Sequence, residues 1–389
     1  MTKPTVIDLF SGCGGMSWGL HKAGFNVIAG IDQWDRALDT FRLNHPTGCA
    51  IKADMFNLDP LWVMQQVGLE QGALDCLIGG PPCQGFSKNV PAAYRFLADP
   101  RNQLFRDFLR FVAAMAPKVV VMENVAEIYN AYQGTVRQEI IESLEKLGYK
   151  VEVAVLFAPD YGVPQRRRRC FFFASRTEIP PTFPPPTFGP EKVSTLFGDI
   201  KQYRSAWSAI SDLPALENGE GHEPMEYDKE PENEYQAKMR QDAKVLYDHI
   251  TRTLNEKQYT RIASLKPGEG IKDLPEEMKP KSGYSGAYGR LDFDMIAPTI
   301  TRWVFHPGSG RFCHPSEVRL LTIREAARLQ SFSDDFRFTG TYIEKSHQVG
   351  NAVPPLIMEG MATNIKVCLQ VLPEAARPYR LLRDAQAQY

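Results

Sequence analysis

Residues 5–15 read TVIDLFSGCGG, a short apolar run that leads directly into a glycine-rich turn. Such a run favours a buried strand, and the glycines let a ligand approach the backbone of the turn closely. A dinucleotide-binding turn of the form G-x-G-x-x-G needs a third glycine, but Ser17 occupies that position. The stretch predicts the first strand of an α/β sheet. The turn after it either binds a nucleoside without a pyrophosphate or is simply a tight turn.

Strand-like and helix-like patterns alternate over the first part of the chain. Strands are predicted at residues 5–10, 26–32, 49–54, 74–80, 118–125, 150–157 and 169–175. Apolar residues at helical spacing predict helices at 103–115 and 135–148. Several strands are continuous apolar runs, which is typical of parallel strands covered on both faces. The alternation predicts an α/β fold with a doubly wound, mostly parallel sheet.

The pattern changes after the last of these strands. Residues 179–190 carry six prolines in twelve positions, which excludes a helix and predicts a semi-rigid linker. Residues 217–234 hold eight carboxylates against one lysine and predict a solvated loop. Short strand-like pieces rich in Gly, Tyr, Arg and Lys then continue to about residue 320. Residues 185–320 are therefore predicted to form a second, smaller and less regular domain.

Helical patterns return near the C-terminus. Thr322-Ile-Arg-Glu325 is a capping-box sequence that predicts the start of a helix, and a final helix is expected after Pro354-Pro355. Because the predicted sheet is one helix short at its start, we expect this final helix to return to the first strand. Residues 1–184 and 321–389 are accordingly predicted to form one discontinuous domain.

Composition limits the class of function. The 389 residues carry 45 basic and 46 acidic side chains, so the formal net charge of -1 excludes a uniformly basic nucleic-acid coat. No apolar run has the roughly 18–20 residues of a membrane span. No signal peptide is recognisable, which makes the cytosol the expected location. The seven scattered cysteines include no C-x-x-C pair, which argues against a disulfide framework or a metal site.

One cysteine stands out by its position. The fourth predicted strand ends in Gly79-Gly-Pro-Pro-Cys83-Gln-Gly-Phe-Ser87. Two prolines stiffen the backbone before Cys83, and no apolar run surrounds the thiol to bury it. Ligands of doubly wound sheets bind at the carboxyl ends of the strands, and a following helix would lower the pKa of this thiol. Cys83 is therefore a candidate nucleophile, whereas the other six cysteines are expected to be buried.

Carboxylates end three other strands of the predicted sheet. Asp32 ends the second strand, where it is either a ribose acceptor or a solvent-exposed carboxylate, and Asp54 ends the third. Glu123 ends the fifth strand, one strand over from Cys83. It is either a contact for a substrate in the same cleft or an edge-exposed side chain.

Four consecutive arginines, residues 166–169, lead into the last apolar strand. Alternation along a strand would place Arg167 and Arg169 on one face and Arg166 and Arg168 on the other. One pair then faces the cleft and the other faces solvent or phosphates. The alternative is a solvated run of charge, which is the usual position of basic clusters.

Six segments occur in a fixed order along the chain: DLFSGCGG, GGPPCQGFS, MENV, VPQRRRR, RLLTIREAARLQSF and QVGNAVPP. This order resembles that of the C5-cytosine DNA methyltransferases, over residues 5–176 and 319–366. The resemblance implies an S-adenosylmethionine-dependent methyltransferase fold. It makes residues 1–184 and 321–389 the catalytic and cofactor-binding domain, and residues 185–320 the target-recognition domain.

The resemblance implies transfer of a methyl group from S-adenosylmethionine to C5 of a cytosine that is flipped out of a specific duplex DNA sequence. Cys83 matches the nucleophile that adds to C6 and makes C5 enamine-like. Glu123 matches the carboxyl group that contacts N3 and the exocyclic amine. Arg167 matches the residue that contacts the cytosine O2 and holds the Cys83 loop, and Arg169 matches a neighbouring active-site arginine.

The cofactor contacts implied by the resemblance come from both ends of the chain. They are Phe10, Ser11, Gly12, Gly14 and Gly15 around the methionine part, Asp32 for the ribose, and Gln33, Asp54 and Met55 in the adenine region. Gly80 and Pro82 border the sulfonium, and Asn351 and Val353 come from the C-terminal segment. Asp32 stands where many members have Glu. Gln33 stands where some members place an aromatic ring against the adenine, and Gln33 supplies no such ring.

The implied partner is double-stranded DNA. The resemblance leaves two contexts open, a restriction-modification system with a cognate endonuclease, which implies no stable complex, or an orphan methyltransferase. The candidate DNA contacts are Gln84, Ser87, Lys281, Tyr284, Tyr288, Arg290, Thr301, Arg302 and Arg311. Thr301 lies in residues 298–302, which resemble the family segment whose Thr lies near the flipped nucleotide. The resemblance further implies a bacterial, cytoplasmic and nucleoid-associated monomer without membrane contact.

Three alternatives are weighed against this interpretation. A tRNA-modifying relative would carry Cys-Phe-Thr in its middle region, and this tripeptide does not occur in the sequence. A non-catalytic DNA-binding homologue would have lost Cys83 or Glu123, and both are present. An NAD-dependent oxidoreductase is disfavoured by the missing third glycine.

Overall fold

A computed structural model of the protein describes residues 3–82, 104–195, 198–280 and 286–369. The chain divides into two compact units. Unit 1 comprises Met1–Phe157, Arg168–Pro185 and Ile357–Tyr389, and unit 2 comprises Ala158–Arg167 and Pro186–Leu356. Among the described residues, no helix is both long enough and apolar enough to cross a membrane.

The described part of unit 1 contains a seven-stranded sheet in the order β3-β2-β1-β4-β5-β7-β6. The strands are β1 (Thr5–Leu9), β2 (Asn26–Asp32), β3 (Cys49–Lys52), β4 (Cys76–Gly79), β5 (Val119–Val125), β6 (Lys150–Phe157) and β7 (Arg168–Ser175). The first five pair in parallel, and β7 lies antiparallel between β5 and β6. The predicted mostly parallel α/β sheet is confirmed, and the predicted strand ends fall within two residues of the observed ones.

The helices follow the strands in alternation and then continue into the less regular part of the chain. They are α1 (Gly15–Lys22), α2 (Asp35–Asn44), α3 (Pro60–Gln66), α4 (Leu104–Met115), α5 (Thr135–Lys146), α6 (Ala206–Ile210), α7 (Glu234–Arg240), α8 (Glu256–Ala263), α9 (Ile323–Leu329), α10 (Tyr342–Asn351) and α11 (Pro355–Leu369). The two helices predicted from apolar spacing in the first part of the chain correspond to α4 and α5. In α4, Phe108, Phe111 and Val112 are fully buried in the apolar core of unit 1.

The carboxyl ends of four strands meet at one edge of the sheet. Leu9 at the end of β1 pairs with Ile31 of β2 and with Gly79 of β4, and Gly79 in turn pairs with Met122 of β5. The order of the strands reverses between β1 and β4. In doubly wound sheets a ligand binds at such a reversal, because the loops on its two sides diverge and leave a crevice.

The C-terminal helix packs on unit 1. The Lys366 ammonium of α11 donates to the Ala23 carbonyl at 2.7 Å and lies 5.4 Å from the centre of the Phe25 ring. Asn364 donates to the Thr182 hydroxyl at 3.1 Å. Ala23 and Phe25 connect α1 to β2, so the final helix packs near the first elements of unit 1, and its packing beside the first strand itself stays a prediction.

Unit 2 is held together by buried ion pairs. Three arginines on and before α9 are at most 1% exposed and pair with carboxylates from several segments. This buried arginine cluster comprises Arg319, Arg324, Arg328, Asp212, Asp248, Glu325 and Asp334. The predicted capping box is also present, with reciprocal hydrogen bonds between Thr322 and Glu325 at the start of α9.

The buried arginine cluster explains why the structural division differs from the predicted one. Residues 321–356 were grouped with the catalytic domain from the sequence, but in the structure they belong to unit 2. Arg328 of α9 pairs with Asp212, and Arg324 pairs with Asp248, so this segment packs on the middle of the chain. Residues 158–167 likewise group with unit 2.

The acidic stretch at residues 217–234 has specific contacts, in contrast to the predicted solvated loop. Met225 is buried and forms an isolated bridge with Leu246. The Tyr227 hydroxyl donates to Asp334 of the buried arginine cluster at 2.8 Å. The stretch is thus attached to the core of unit 2 at its centre.

Candidate active site

The glycine-rich turn after β1 is tied to the end of β2. The Asp32 carboxylate accepts from the Gly12 amide through one oxygen and from the Trp34 amide through the other, both at 2.8 Å. The Ser11 amide donates to the Ile31 carbonyl at 3.0 Å. Burial raises the pKa of Asp32, and the backbone donors oppose this rise. These bonds hold the Asp32 carboxylate at the edge of the sheet, with its oxygens as hydrogen-bond acceptors.

The backbone of the turn is in the left-handed region at three positions. Phe10 has φ 58°, Gly12 has φ 53° and Gly14 has φ 94°. A Cβ on Gly12 would meet no atom within 4 Å, whereas a Cβ on Gly14 would lie 2.9 Å from the Phe41 ring. One side of the turn is therefore packed against α2 and the other side is open.

Ser17 replaces the third glycine of a dinucleotide-binding turn and has a structural role. Its hydroxyl donates to the Asp8 carboxylate at 2.7 Å, and both residues are buried. Burial raises the pKa of Asp8 to about 7, although the Ser17 hydrogen bond opposes the rise. The polar pair locks α1 onto β1 where a pyrophosphate-binding turn would need a close approach of the backbone.

The predicted adenine region lies at the ends of β2 and β3. Asp54 is exposed and accepts from the Phe56 amide at 3.1 Å, and Met55 is buried. Gln33 is exposed, whereas the next residue, Trp34, is half-buried at the start of α2. Trp34 is not among the residues predicted for this region. The sequence signal for it is an aromatic side chain two positions beyond Asp32.

These residues fit a nucleoside cofactor. Asp32 offers lone pairs to hydroxyl groups, the turn has an open side at Gly12, and the half-buried aromatic residue Trp34 follows Asp32 by two positions. Ser17 occupies the place of the third glycine that a pyrophosphate-binding turn needs. The donor set therefore suits an adenosine with a non-phosphate substituent better than a dinucleotide.

Glu123 and Arg169 form an ion pair at the same edge of the sheet. Glu123 Oε1 lies 2.8 Å from Arg169 Nε, and the two side chains are 11% and 20% exposed. A Cβ on Gly80 would lie 3.0 Å from Glu123 Oε2. The carboxylate therefore borders the segment that leads to Cys83, and the glycine provides the room for it.

Asn124 connects the same two strands. Its side-chain amide donates to the Pro81 carbonyl at 3.0 Å, and its amide oxygen accepts from the Val125 amide at 2.8 Å. Asn124 is 2% exposed, so this hydrogen bond is shielded from water. The bond fixes the backbone two residues before Cys83.

Four predicted site residues, Cys83, Gln84, Ser87 and Lys281, lie outside the described residues, as does Tyr284. Among the other cysteines, Cys13, Cys76, Cys170, Cys313 and Cys368 are buried as predicted, but Cys49 is exposed. Burial raises the pKa of the Cys13, Cys170 and Cys313 thiols to about 12. These three thiols are protonated at neutral pH and cannot act as nucleophiles there.

The two candidate active-site arginines have different surroundings. Alternating exposure along residues 166–169 is confirmed, because Arg166 and Arg168 are exposed and Arg167 and Arg169 are not. Arg167 is 2% exposed, and its Nη1 donates to the carbonyls of Ile300 and Gly350 at 3.3 and 3.4 Å within unit 2. Arg169 is the one that pairs with Glu123. The Glu123 contact makes Arg169 a second candidate for the cytosine O2 contact, and the role of Arg167 in that contact stays a prediction.

Arg290 is corrected as a candidate DNA contact. Its guanidinium is buried and donates to the carbonyls of Leu265 and Pro315 at 2.9 Å, with longer bonds to those of His314 and Glu317. Arg311 likewise donates to three backbone carbonyls, and Tyr288 is 8% exposed. Arg290 and Arg311 thus support the backbone of unit 2 through these bonds.

The remaining predicted contacts of unit 2 differ in accessibility. Arg302 is exposed and Thr301 is half-buried. Asn351 is exposed at the end of α10, and Val353 is 7% exposed in unit 2. A Cβ on Gly350 would lie 2.1 Å from the Arg302 amide nitrogen, so the backbones of the two segments are in direct contact.

Residues 4–367 match the model of the C-5 cytosine-specific DNA methylase family. The chain belongs to this family and is a DNA cytosine-C5 methyltransferase. It is 36% identical to the Type II methyltransferase M.DdeI of Desulfomicrobium norvegicum, over 92% of this chain and 88% of the relative. It is also 36% identical to the Type II methyltransferase M1.HphI of Haemophilus parahaemolyticus, over 92% of this chain and 85% of the relative.

Solved structures share the fold. A prophage-encoded protein of E. coli, assigned to the DNA modification methyltransferases, matches with a TM-score of 0.73 and 26% identity, over 94% of this chain and 99% of that one. The Entamoeba histolytica methyltransferase EhMeth matches with a TM-score of 0.61 and 15% identity, over 95% of this chain and 100% of that one. The second likeness concerns the fold alone.

Proposed function

We propose that the protein transfers the methyl group of S-adenosylmethionine to C5 of a cytosine in a specific duplex DNA sequence, through a covalent bond between Cys83 and C6. The observation that carries this proposal is the Glu123–Arg169 pair, which borders Gly80 at the carboxyl edge of the sheet. The same edge presents the glycine-rich turn and Asp32.

Each side chain at this edge has a role that its chemistry suits. The Cys83 thiolate adds to C6, and the electron pair of the C5–C6 double bond becomes available at C5. Glu123 holds a proton at N3 and accepts from the exocyclic amine, which stabilises the adduct. Arg169 orients Glu123 through their ion pair and donates to the O2 oxygen. After methylation, loss of the C5 proton restores the double bond as the Cys83 thiolate leaves.

S-adenosylmethionine supplies an electrophilic methyl group on a sulfonium. Phe10, Ser11, Gly12, Gly14 and Gly15 hold its methionine part, and Asp32 accepts from the ribose hydroxyls. Asp54, Met55 and Trp34 bind the adenine, with Trp34 providing the ring that Gln33 lacks. Gly80 and Pro82 border the sulfonium, and Asn351 and Val353 complete the site.

We assign DNA recognition to residues 185–320, with Thr301 and Arg302 as contacts in this region and Lys281 as a further one. Gln84 and Ser87 follow the nucleophile and contact the DNA beside the flipped base. Arg167 positions the recognition segment, because its guanidinium bonds to the carbonyls of Ile300 and Gly350. The protein acts as a cytoplasmic, nucleoid-associated monomer, and a restriction endonuclease that cuts the same DNA sequence is its functional partner.

The test is expression of the chain in a bacterial host without cytosine methylation, followed by bisulfite sequencing of the host DNA. We expect protected cytosines in one sequence context, and none with the Cys83→Ser variant. Full conversion of every cytosine in the presence of folded wild-type protein would contradict the proposal. Protection that persists in the Cys83→Ser variant would contradict the role of Cys83.

A further inference from the structure

Unit 2 exposes a large aromatic side chain directly after its recognition segment. Trp303 is 46% exposed, although a tryptophan normally buries most of its surface. It follows Thr301 and Arg302, and no role is assigned to it by the chemistry described so far. An exposed indole in a DNA-modifying protein needs an explanation, because exposure of this much apolar surface to water is unfavourable.

The indole is held in a fixed position. Its ring centre lies 5.6 Å from that of Phe305 in a tilted arrangement and 5.8 Å from that of His347 in a T-shaped arrangement. The Trp303 amide donates to the Thr301 hydroxyl at 3.3 Å, and the Trp303 carbonyl accepts from the Ser309 hydroxyl at 2.5 Å. Such a ring loses little conformational entropy when it contacts a partner.

Two guanidinium groups lie beside the aromatic rings of this cluster. The Arg302 guanidinium lies 5.0 Å from the Trp303 ring centre, and that of Arg252 lies 5.4 Å from the Phe305 ring centre. Glu344 acts electrostatically on His347, and its carboxylate accepts from the amide and hydroxyl of Thr341. We call Arg252, Arg302, Trp303, Phe305 and His347 the Trp303 patch. An aromatic face beside arginines is complementary to a nucleobase beside phosphates.

We propose that Trp303 packs its indole against a nucleobase of the DNA substrate, while Arg302 contacts a phosphate beside that base. This inference rests on the proposed function, because it takes duplex DNA as the substrate. It adds a stacking residue to the recognition segment, and stacking is insensitive to salt whereas a phosphate contact is not. Substitutions of Trp303 and of Arg302 should therefore change the salt dependence of DNA binding in different ways.

The test uses a fluorescein-labelled duplex that carries the target sequence found by bisulfite sequencing, and measures affinity at several salt concentrations. We expect Trp303→Ala to weaken binding about tenfold and to leave the slope of log affinity against log salt unchanged. Trp303→Phe should retain most of the affinity because it keeps an aromatic ring. Arg302→Gln should instead reduce the salt slope by about one.

Tyr259→Ala is the matched control, because Tyr259 is an aromatic of the same unit that is 42% exposed and lies on α8. We expect no loss of DNA affinity in this variant. An affinity of Trp303→Ala equal to that of Tyr259→Ala would overturn the proposal and would leave the Trp303 patch to a different partner, such as a protein.

Fluorescence gives a second and independent measurement. A base stacked on an indole quenches the fluorescence of the indole. DNA should therefore quench the fluorescence of wild-type protein more than that of Trp303→Phe. Equal quenching in the two proteins would contradict the stacking. Calorimetric binding of S-adenosylmethionine by Trp303→Ala checks that the variant is folded. Failure of the proposed function is distinguishable, since then the wild-type protein itself would methylate no DNA.

Discussion

The Glu123–Arg169 pair of unit 1 and the Asp334–Arg328 pair of unit 2 contain the same two chemical groups at similar distances, 2.8 and 2.6 Å. They differ in exposure. The side chains of the first pair are 11% and 20% exposed, whereas both side chains of the second are 0% exposed. An ion pair alone therefore does not indicate a functional site. The exposed fraction of its side chains decides whether a ligand can reach it.

The hydrogen bonds of Arg328 show what full enclosure does. Nε donates to Asp334, Nη1 donates to Asp212 and to the Ala209 carbonyl, and Nη2 donates to both carboxylates. Burial by itself lowers the pKa of Arg328, but Asp334 and Asp212 outweigh burial and raise it. Such a guanidinium has no donor left for a substrate, and its function is to join three segments of unit 2.

The largest effect on activity is expected when the partly exposed Glu123–Arg169 pair is broken. Glu123→Gln removes the group that holds the proton at N3, so kcat should fall by at least about 100-fold while the affinity for S-adenosylmethionine stays the same. The measurement is methyl transfer to duplex DNA under saturating cofactor. Glu152→Gln is the control, since Glu152 is an exposed carboxylate of β6. Wild-type turnover in Glu123→Gln would show that the pair is structural after all.

In unit 2, breaking the buried pair should affect the stability of the protein. Arg328→Met leaves Asp212 and Asp334 buried without their main partner, so the free energy of unfolding should fall by about 3–5 kcal/mol. Arg169→Met should lower it by about 1 kcal/mol or less, because that pair is partly solvated. Urea unfolding of both variants measures the difference. Equal losses of stability would remove the distinction between the two ion pairs.

The sequence does not show which arginines are enclosed by the protein and which remain accessible to a ligand. The strands of unit 1 were predicted to within two residues because continuous apolar runs report burial directly. Arg290 and Arg302 look alike in the sequence, but one donates to backbone carbonyls and the other is exposed. Whether an arginine finds carbonyl partners depends on segments distant in sequence, and no local pattern contains that information.

The same reason applies to Arg167 and Arg169. Alternation along the chain predicted that they differ from Arg166 and Arg168, but it could not show which of the two would meet Glu123. The register of β7 against β5 decides this, because Val125 pairs with Arg169. Register is set by the whole hydrophobic pattern of both strands. A sequence motif can therefore identify the pair of candidates and still leave their separate roles open.

At neutral pH the smallest effect is expected at His45, a buried group of unit 1. His45 is 2% exposed, and among the described residues neither ring nitrogen has a hydrogen-bond partner. Burial, assisted by His21, lowers the pKa of His45 to about 3. As the pH falls below the unfolded value of about 6.5, the unfolded chain binds a proton that the folded chain does not, so stability decreases.

His45→Phe should remove this contribution to the pH dependence of the unfolding free energy. We expect the slope of unfolding free energy against pH between about 4 and 6 to become shallower by about one proton, with stability above pH 7 least affected. His222→Gln is the control, because His222 is exposed. Urea unfolding across this pH range is the measurement, and an unchanged slope in His45→Phe would mean that His45 titrates normally in the folded protein.

Cys83 is proposed to attack C6 of a cytosine beside the Glu123–Arg169 pair. A duplex with 5-fluorocytosine at the target position traps this step, because fluorine at C5 cannot leave as a proton does and the covalent adduct therefore persists. With S-adenosylmethionine present, we expect a denaturant-stable protein–DNA adduct through the peptide that contains Cys83, and no adduct with Cys83→Ser. An adduct through another residue would rule out Cys83 as the nucleophile. So would the absence of any adduct with wild-type protein that methylates the unmodified duplex.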